Sequence, residues 1–181
     1  VTVSLSGLGG DELFAGYPQF LSFVRYNTLA PQGIRVFKHE LDYVSERLPG
    51  RWGARLSNFI SSPLERLTSV RLLMREREKV KAVSQAFLKD FRPMQAQERY
   101  RSLLHDNLDP VTQMSYVELS GYLRDTLLRD SDAMSMAHAL EVRPILLSHK
   151  LAEFVFSLPP DYKLSGSHTK RVFRDALRDL L

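Results

Sequence analysis

Val1-Thr-Val-Ser-Leu5 is the one β-branched, apolar run in a sequence otherwise patterned for helix. One strand cannot form a sheet by itself. The run therefore pairs with sequence outside these 181 residues or stands as an unpaired edge. The next seven residues narrow the fold further. Ser6-Gly-Leu-Gly-Gly10 is a glycine-rich loop, and Asp11 and Glu12 stand where a helix starts. Such loops turn backbone N–H groups outward beside the positive end of a helix dipole. Carboxylates on the same rim can hold Mg2+, which takes oxygen ligands and bridges to phosphates. The segment suggests a phosphate and metal site. An ordinary strand-to-helix turn with dipole-favouring carboxylates accounts for the same residues. The sequence opens at Val1 without a Met and its strand starts abruptly, so a piece of a longer protein is expected.

Beyond the strand, helical signals succeed one another. Ile34, Phe37, Leu41, Val44 and Leu48 recur at helical spacing until Pro49-Gly50. Ser62-Pro63-Leu64-Glu65 is a capping box with Pro at the first helical position. A polar helix is expected over about Glu76 to Asp90 and a short one near Gln95 to Asn107. Asp109-Pro110 caps a helix reaching about Leu128, and Asp130-Ser-Asp132 is expected to interrupt it before Ala133 to Leu140 resumes. A turn at Glu141 to Ile145 then leads into a helix over Leu146 to Leu158, stopped by Pro159-Pro160. The last helix carries Val172, Phe173, Ala176, Leu177 and Leu180 on one face and runs to Leu181 with no C-cap signal. The fold class is mainly α, with one short strand and eight or so helices.

Composition excludes several function classes. With 44% hydrophobic and 25% charged residues the chain is an ordinary globular one. No apolar run approaches membrane-spanning length and no signal peptide is visible. Zero cysteines excludes disulfides and thiolate metal sites and fits a reducing compartment, so a cytoplasmic location is expected. The five histidines are scattered with no pair at ligand spacing, against a zinc site. A net charge of +4 invites a nucleic-acid reading. The densest basic stretch, Arg71 to Lys81, is however broken by Glu76 and Glu78, the pattern of a solvated helix face. Neither nucleic acid nor membrane is expected as a partner.

Two separated stretches point to one family. Ser6-Gly-Leu-Gly-Gly-Asp-Glu-Leu-Phe-Ala-Gly-Tyr17 resembles the pyrophosphate-side loop of glutamine-hydrolysing asparagine synthetases. Leu123-Arg-Asp-Thr-Leu-Leu-Arg-Asp-Ser-Asp132 through Glu141-Val-Arg143 resembles that family's second signature. Leu147 to Phe154 and Gly166-Ser-His-Thr-Lys170-Arg-Val-Phe-Arg174 continue it in the family's order. The resemblance covers nearly the whole chain and is weakest between about Leu29 and Pro110.

It implies the helical C-terminal portion of an α/β adenine-nucleotide alpha-hydrolase-like (PP-loop ATPase) synthetase domain. Residues 1–181 are then one fragment of that domain. The family's nucleotide loop, of the Ser-Gly-Gly-x-Asp-Ser type, does not occur in the sequence, nor does the cysteine a glutaminase needs. In such enzymes ATP adenylates a side-chain carboxylate and releases pyrophosphate. Ammonia from glutamine then displaces AMP to leave an amide. The implied cofactors are ATP and Mg2+, and the implied acceptor is a small-molecule carboxylate, aspartate first. The implied partners are the remainder of the synthetase chain, with its PP-loop and glutaminase domain, and a second copy in a homodimer.

Site residues carry over position by position. Ser6, Gly7, Gly9 and Gly10 match the segment that wraps ATP phosphates or the departing pyrophosphate. Asp11 matches the magnesium ligand on the pyrophosphate side, where the metal offsets charge building on the leaving group. Lys170 matches the lysine that closes over the phosphates, and Arg174 lies one turn on. Locally, Lys170 reads as a surface lysine and its role rests on the resemblance, while Arg174 faces the same anion or solvent. Asp132 is the second catalytic candidate, where orienting substrate and tying helices together both remain open. Glu12, Glu141 and Arg143 read as structural, and Met134 and Met136 as core packing.

The chain departs from the family pattern at three places. Leu8 stands where a glutamate is usual and cannot take part in proton transfer. Pro144-Ile145 stands in place of Val-Pro, and Ser148 replaces an aspartate. The first reading is a piece of an ATP-dependent amidotransferase, inactive by itself and prone to self-association through its exposed interface. The alternative is a non-catalytic helical interaction module derived from a synthetase.

Overall fold

A computed structural model describes residues 2–29, 32–48, 51–70, 82–84 and 95–180. The chain divides into two units, Val1–Val24 with His105–Leu181, and Arg25–Leu104.

The first unit opens with strand β1, Val3–Ser6, which leads through the glycine loop into α1, Gly10–Leu13. Helix α2, Pro18–Leu29, comes next with Pro at its first position. Its last residues belong to the second unit. Later in the chain come α7, Pro110–Glu118, a π-helical segment over Leu119–Leu127, and α8, Leu128–Met136. Strand β2, Glu141–Pro144, a 3-10 turn at Ile145–Leu147 and α9, His149–Ser157, come after it. Two short helices end the unit, α10, Pro160–Lys163, and α11, Arg171–Ala176.

Two expectations are corrected here. β1 does not wait for sequence outside the chain. It pairs in parallel with β2, in the register Val3↔Glu141 to Ser6↔Pro144, so the expected turn at Glu141 is a strand. Nor does Asp130-Ser-Asp132 interrupt a helix, because α8 runs through it without a break. Three polar residues weaken a helix only modestly, and the preceding turns supply its nucleus.

One core cluster of this unit is Leu13, Phe14 and Val155, with Leu147, Leu151, Phe156, Val172 and Phe173 packed against it. The Phe14 and Phe173 rings meet at 4.9 Å, which fixes α11 against the end of α1. The predicted cap at Asp109 is present. Its Oδ1 accepts from the N–H groups of Val111 and Thr112 at 2.9 and 3.0 Å. Lys163 is buried and donates to Thr112 Oγ1 at 3.0 Å, with Phe156 beneath it. Burial pushes its ammonium below the ordinary lysine pKa, against the opposing pull of Asp109. Met134 and Met136 are 73% and 56% exposed, so the core role expected for them is not what the fold gives them.

The second unit is helical among its described residues. A 3-10 turn, Gln32–Phe37, leads into α3, Lys38–Arg47, followed by α4, Arg51–Ile60, α5, Pro63–Val70, and α6, Gln95–Arg101. The capping box forms as its sequence dictates. Ser62 N–H donates to Glu65 Oε2 at 2.8 Å and Glu65 N–H to Ser62 Oγ at 3.2 Å. Lys38 forms an ion pair with the same carboxylate. Helix α4 comes close to α3 at Gly53, where a Cβ would strike the Ser45 carbonyl oxygen and stand 2.9 Å from that of Leu48, the C-cap of α3. The buried Arg66 guanidinium donates to the carbonyls of Asn58 and Phe59 and to Asn27 Oδ1, at 2.7, 3.2 and 2.7 Å. The polar helix expected over Glu76 to Asp90 lies mostly outside the described residues. No helix among the described residues is long and apolar enough to cross a membrane.

Candidate active site

The parallel pairing of β1 with β2 sets the two signature stretches side by side, and the segments at the C-terminal ends of these strands build the site. Ser6 ends β1, and its hydroxyl is buried with no hydrogen-bond partner among the described residues. A buried polar group in that state costs free energy until a partner satisfies it. The loop then tightens. Gly10 N–H donates to Gly7 O at 3.2 Å and Leu13 N–H to Gly9 O at 2.9 Å. Gly9 takes φ 90°, a left-handed value open to glycine, and a Cβ there would fall on the Leu147 side chain. The 3-10 turn after β2 is thus the floor of the loop after β1.

Asp11 and Glu12 part company one residue after the loop. Glu12 is 1% exposed and accepts a 2.7 Å hydrogen bond from the Tyr17 hydroxyl. It belongs to the interior, as its structural reading required, and leaves Asp11 as the rim carboxylate. Asp11 Oδ1 stands 2.8 Å from Lys170 Nζ, with the two side chains 39% and 28% exposed. The fold therefore joins two of the sequence candidates into one ion pair. Lys170 caps α11 in a left-handed conformation, φ 53°, and its N–H donates to Phe14 O at 3.0 Å. Ala15, next to Phe14, is left-handed too at φ 57°. Non-glycine residues held this way cost on the order of 1 kcal/mol each and are kept where the surroundings impose them.

The remaining candidates stand as follows. Arg174 is exposed, and its backbone N–H donates to Lys170 O at 2.8 Å. Asp132 is exposed on α8. Glu141 and Arg143 pair across the exposed face of β2 at 2.7 Å. That hydrogen bond holds the Arg143 pKa above its ordinary value. Leu8 is half-buried and Ser148 exposed.

For a divalent cation, no group of three or more His, Cys, Asp or Glu exists among the described residues. Asp11 alone suits Mg2+ of the nucleotide-bound kind, which takes one or two carboxylates and fills its shell with phosphate oxygens and water. It does not suit an all-protein cage.

Sequence reasoning missed Gly16. A Cβ there would stand 2.8 Å from Asp11 Cγ and would also strike Lys170 Cε. No spacing rule reveals that requirement, because it depends on Lys170, far along the chain, being brought against Asp11.

The profile of the asparagine synthase family matches residues 1–181. The chain belongs to that family. It is 27% identical over 191 residues to asparagine synthetase [glutamine-hydrolyzing] 1 of Bacillus subtilis, covering 100% of this chain and 28% of that protein. It is 30% identical over 188 residues to a putative asparagine synthetase [glutamine-hydrolyzing] of Mycobacterium bovis, again 100% of this chain and 28% of the relative. Asparagine synthetase [glutamine-hydrolyzing] 3 of Bacillus subtilis matches over 69 residues at 33% identity, 38% of this chain and 11% of that protein. This asparagine synthase family chain thus spans little more than a quarter of the length of its full-coverage relatives. No solved structure matches it.

Proposed function

We propose that these residues form the pyrophosphate-side wall of an ATP-dependent amidotransferase that adenylates a carboxylate, with aspartate as the first candidate, and aminates it. The observation that carries the reading is the Asp11–Lys170 pair at the mouth of the glycine loop. A lone rim carboxylate and a lysine at contact distance offer one ligand to Mg2+ and one cation to phosphate. Bound Mg2+ neutralises charge on the leaving pyrophosphate. Lys170 places its ammonium where negative charge develops, and its left-handed cap pre-sets the direction of the side chain. The Ser6 hydroxyl and the Gly7, Gly9 and Gly10 backbone line the same mouth and suit phosphate oxygens. Arg174 extends the cationic side by one turn, and Asp132 is kept as a candidate for orienting substrate.

The proposal includes parts of the enzyme outside these residues: a PP-loop nucleotide site and a glutaminase domain, in an α/β synthetase domain that the helices here complete. It includes a cytoplasmic setting and a homodimer. By itself the 181-residue chain is expected to adenylate nothing.

The test is ATP–pyrophosphate exchange with Mg2+ on the complete polypeptide, with and without aspartate. Asp11→Asn should lower exchange by on the order of a hundredfold with an unchanged circular dichroism spectrum. Exchange that survives the substitution intact removes the pair from the chemistry and leaves the helical interaction module as the reading. Exchange with another carboxylate but not aspartate names a different acceptor, in keeping with Leu8.

A further inference from the structure

Position 16 is a glycine for a reason that its backbone does not supply. The positive-φ glycines among the described residues are Gly9 and Gly166, so Gly16 adopts a conformation that alanine tolerates. Its N–H donates to Asp11 O at 2.8 Å, which turns the chain back so that its bare Cα faces the Asp11 side chain. A Cβ there would stand 2.8 Å from Asp11 Cγ and would overlap both Asp11 Oδ1 and Lys170 Cε. The atoms in the way are side-chain atoms, and they belong to the two members of one ion pair. A methyl group at position 16 therefore displaces the pair and leaves the surrounding backbone where it is.

We propose that Gly16 is a positioning residue of the Asp11–Lys170 site, the empty socket in which carboxylate and ammonium are held together. The claim rests on the pyrophosphate-side reading above for its chemical consequence, and on packing alone for its steric part. Two neighbouring features support it. Ala15 and Lys170 are both held left-handed, and Phe14 O receives the Lys170 N–H. The backbone on both sides of the socket is thus fixed, and the pair has little room to re-form elsewhere. Lysine can swing its long stem into solvent, while the short aspartate must rotate or tilt its helix. Alanine at 16 should separate the two charges more readily than it unfolds the protein.

Two measurements on the complete polypeptide decide it. In the first, Gly16→Ala is compared by thermal melting in the wild type and in an Asp11→Ala/Lys170→Ala background. The Tm is expected to fall in the wild type and to rise in the double variant. With the clash gone, only the reduced freedom of the unfolded chain remains, and that favours alanine. Equal shifts in both backgrounds overturn the steric claim. The second is ATP–pyrophosphate exchange as a function of Mg2+. Gly16→Ala should lower the rate at least tenfold and move half-saturation to higher Mg2+, a shift that mere loss of stability does not produce. A wild-type rate and Mg2+ dependence, beside an inactive Asp11→Asn, overturns the positioning role and leaves the site reading standing. An active Asp11→Asn overturns that reading, and with it the chemical half of the proposal, while the melting comparison still decides the socket itself.

Discussion

The two units of the chain hold their charges for different ends. In the unit built from Arg25–Leu104, Arg66 and Glu65 are fastened to nearby helix ends. Arg66 is 3% exposed and caps the carbonyls of Asn58 and Phe59, while Glu65 closes a capping box and meets Lys38. In the unit that joins the two ends of the chain, the pair Asp11–Lys170 is partly exposed. It stands at the starts of α1 and α11, but the Lys170 side chain makes no cap hydrogen bond. A pair with that much solvent contact contributes under about 1 kcal/mol to stability. Yet long-range contacts converge on it: β1 beside β2, Phe173 on Phe14, and a left-handed Lys170. Closing loops of that length costs chain entropy, which buried apolar surface offsets. Charges that add little to stability but are positioned by the core are candidates for chemistry. Charges that satisfy helix ends are structure.

The largest expected effect tests whether the core does position the site. Phe14→Ala removes a 4% exposed ring that packs on Phe173, and should cost about 3–5 kcal/mol in urea unfolding. A cost below about 1 kcal/mol would mean that α11 is held by something other than this ring, and would undo the contrast. Next comes Arg66→Met, which keeps the volume and strips the hydrogen bonds from two carbonyls and Asn27. Removing the Arg66 donors from these half-buried acceptors should cost about 1–2 kcal/mol, with faster amide exchange in the last turn of α4. ATP–pyrophosphate exchange measured under conditions where the variant is fully folded should stay at the wild-type rate. A selective loss there would make Arg66 something more than a helix fastener.

Legibility in the sequence divides along the same line. Caps are local, so Ser62 with Glu65 and Asp109 are readable from a few adjacent residues. Helix α4 lacks such a cap signal, since Arg51 comes directly after Pro49-Gly50 and Gly53 sits inside it. Its apolar residues Trp52, Leu56, Phe59 and Ile60 do follow helical spacing, a signal that sequence reasoning missed. Strand β2 reads as a turn because Glu141-Val-Arg-Pro144 holds one β-branched residue among two charges and a proline. Its conformation is decided by β1, far away in the chain, which no local pattern encodes. Met134 and Met136 read as core by residue type alone; two positions apart on a helix they do not share a face, and both are exposed. Family resemblance gives Asp11 and Lys170 separate phosphate-side roles, but their pairing is visible only in the fold. Gly16 lies within the resembling stretch, which assigns it no role. A glycine kept for the space beside it looks, in sequence, like any other.

The smallest effect sharpens the comparison most, because it asks what an ion pair of the structural kind is worth. Burial pushes the Glu65 carboxyl up, but the Lys38 hydrogen bond and the Ser62 N–H outweigh it and hold the group below its ordinary value of 4.5. A carboxylate with a depressed folded pKa contributes stability that is present above 4.5 and lost as pH falls through the folded value. Both partners are about a third exposed, so solvent and salt reduce the contribution to under about 1 kcal/mol. Glu65→Gln retains an acceptor for the Ser62 N–H and removes only the charge. The variant should therefore be less stable than the wild type by that small amount at pH 7. The two should converge once the pH falls below the folded value, and also at high salt. Unfolding free energies at pH 7 and through a descending acid series check this. A difference that persists unchanged through the whole series would assign the role of Glu65 to its hydrogen bonds alone. The charge would then matter in neither unit for stability, and the Asp11–Lys170 pair would be judged by activity only.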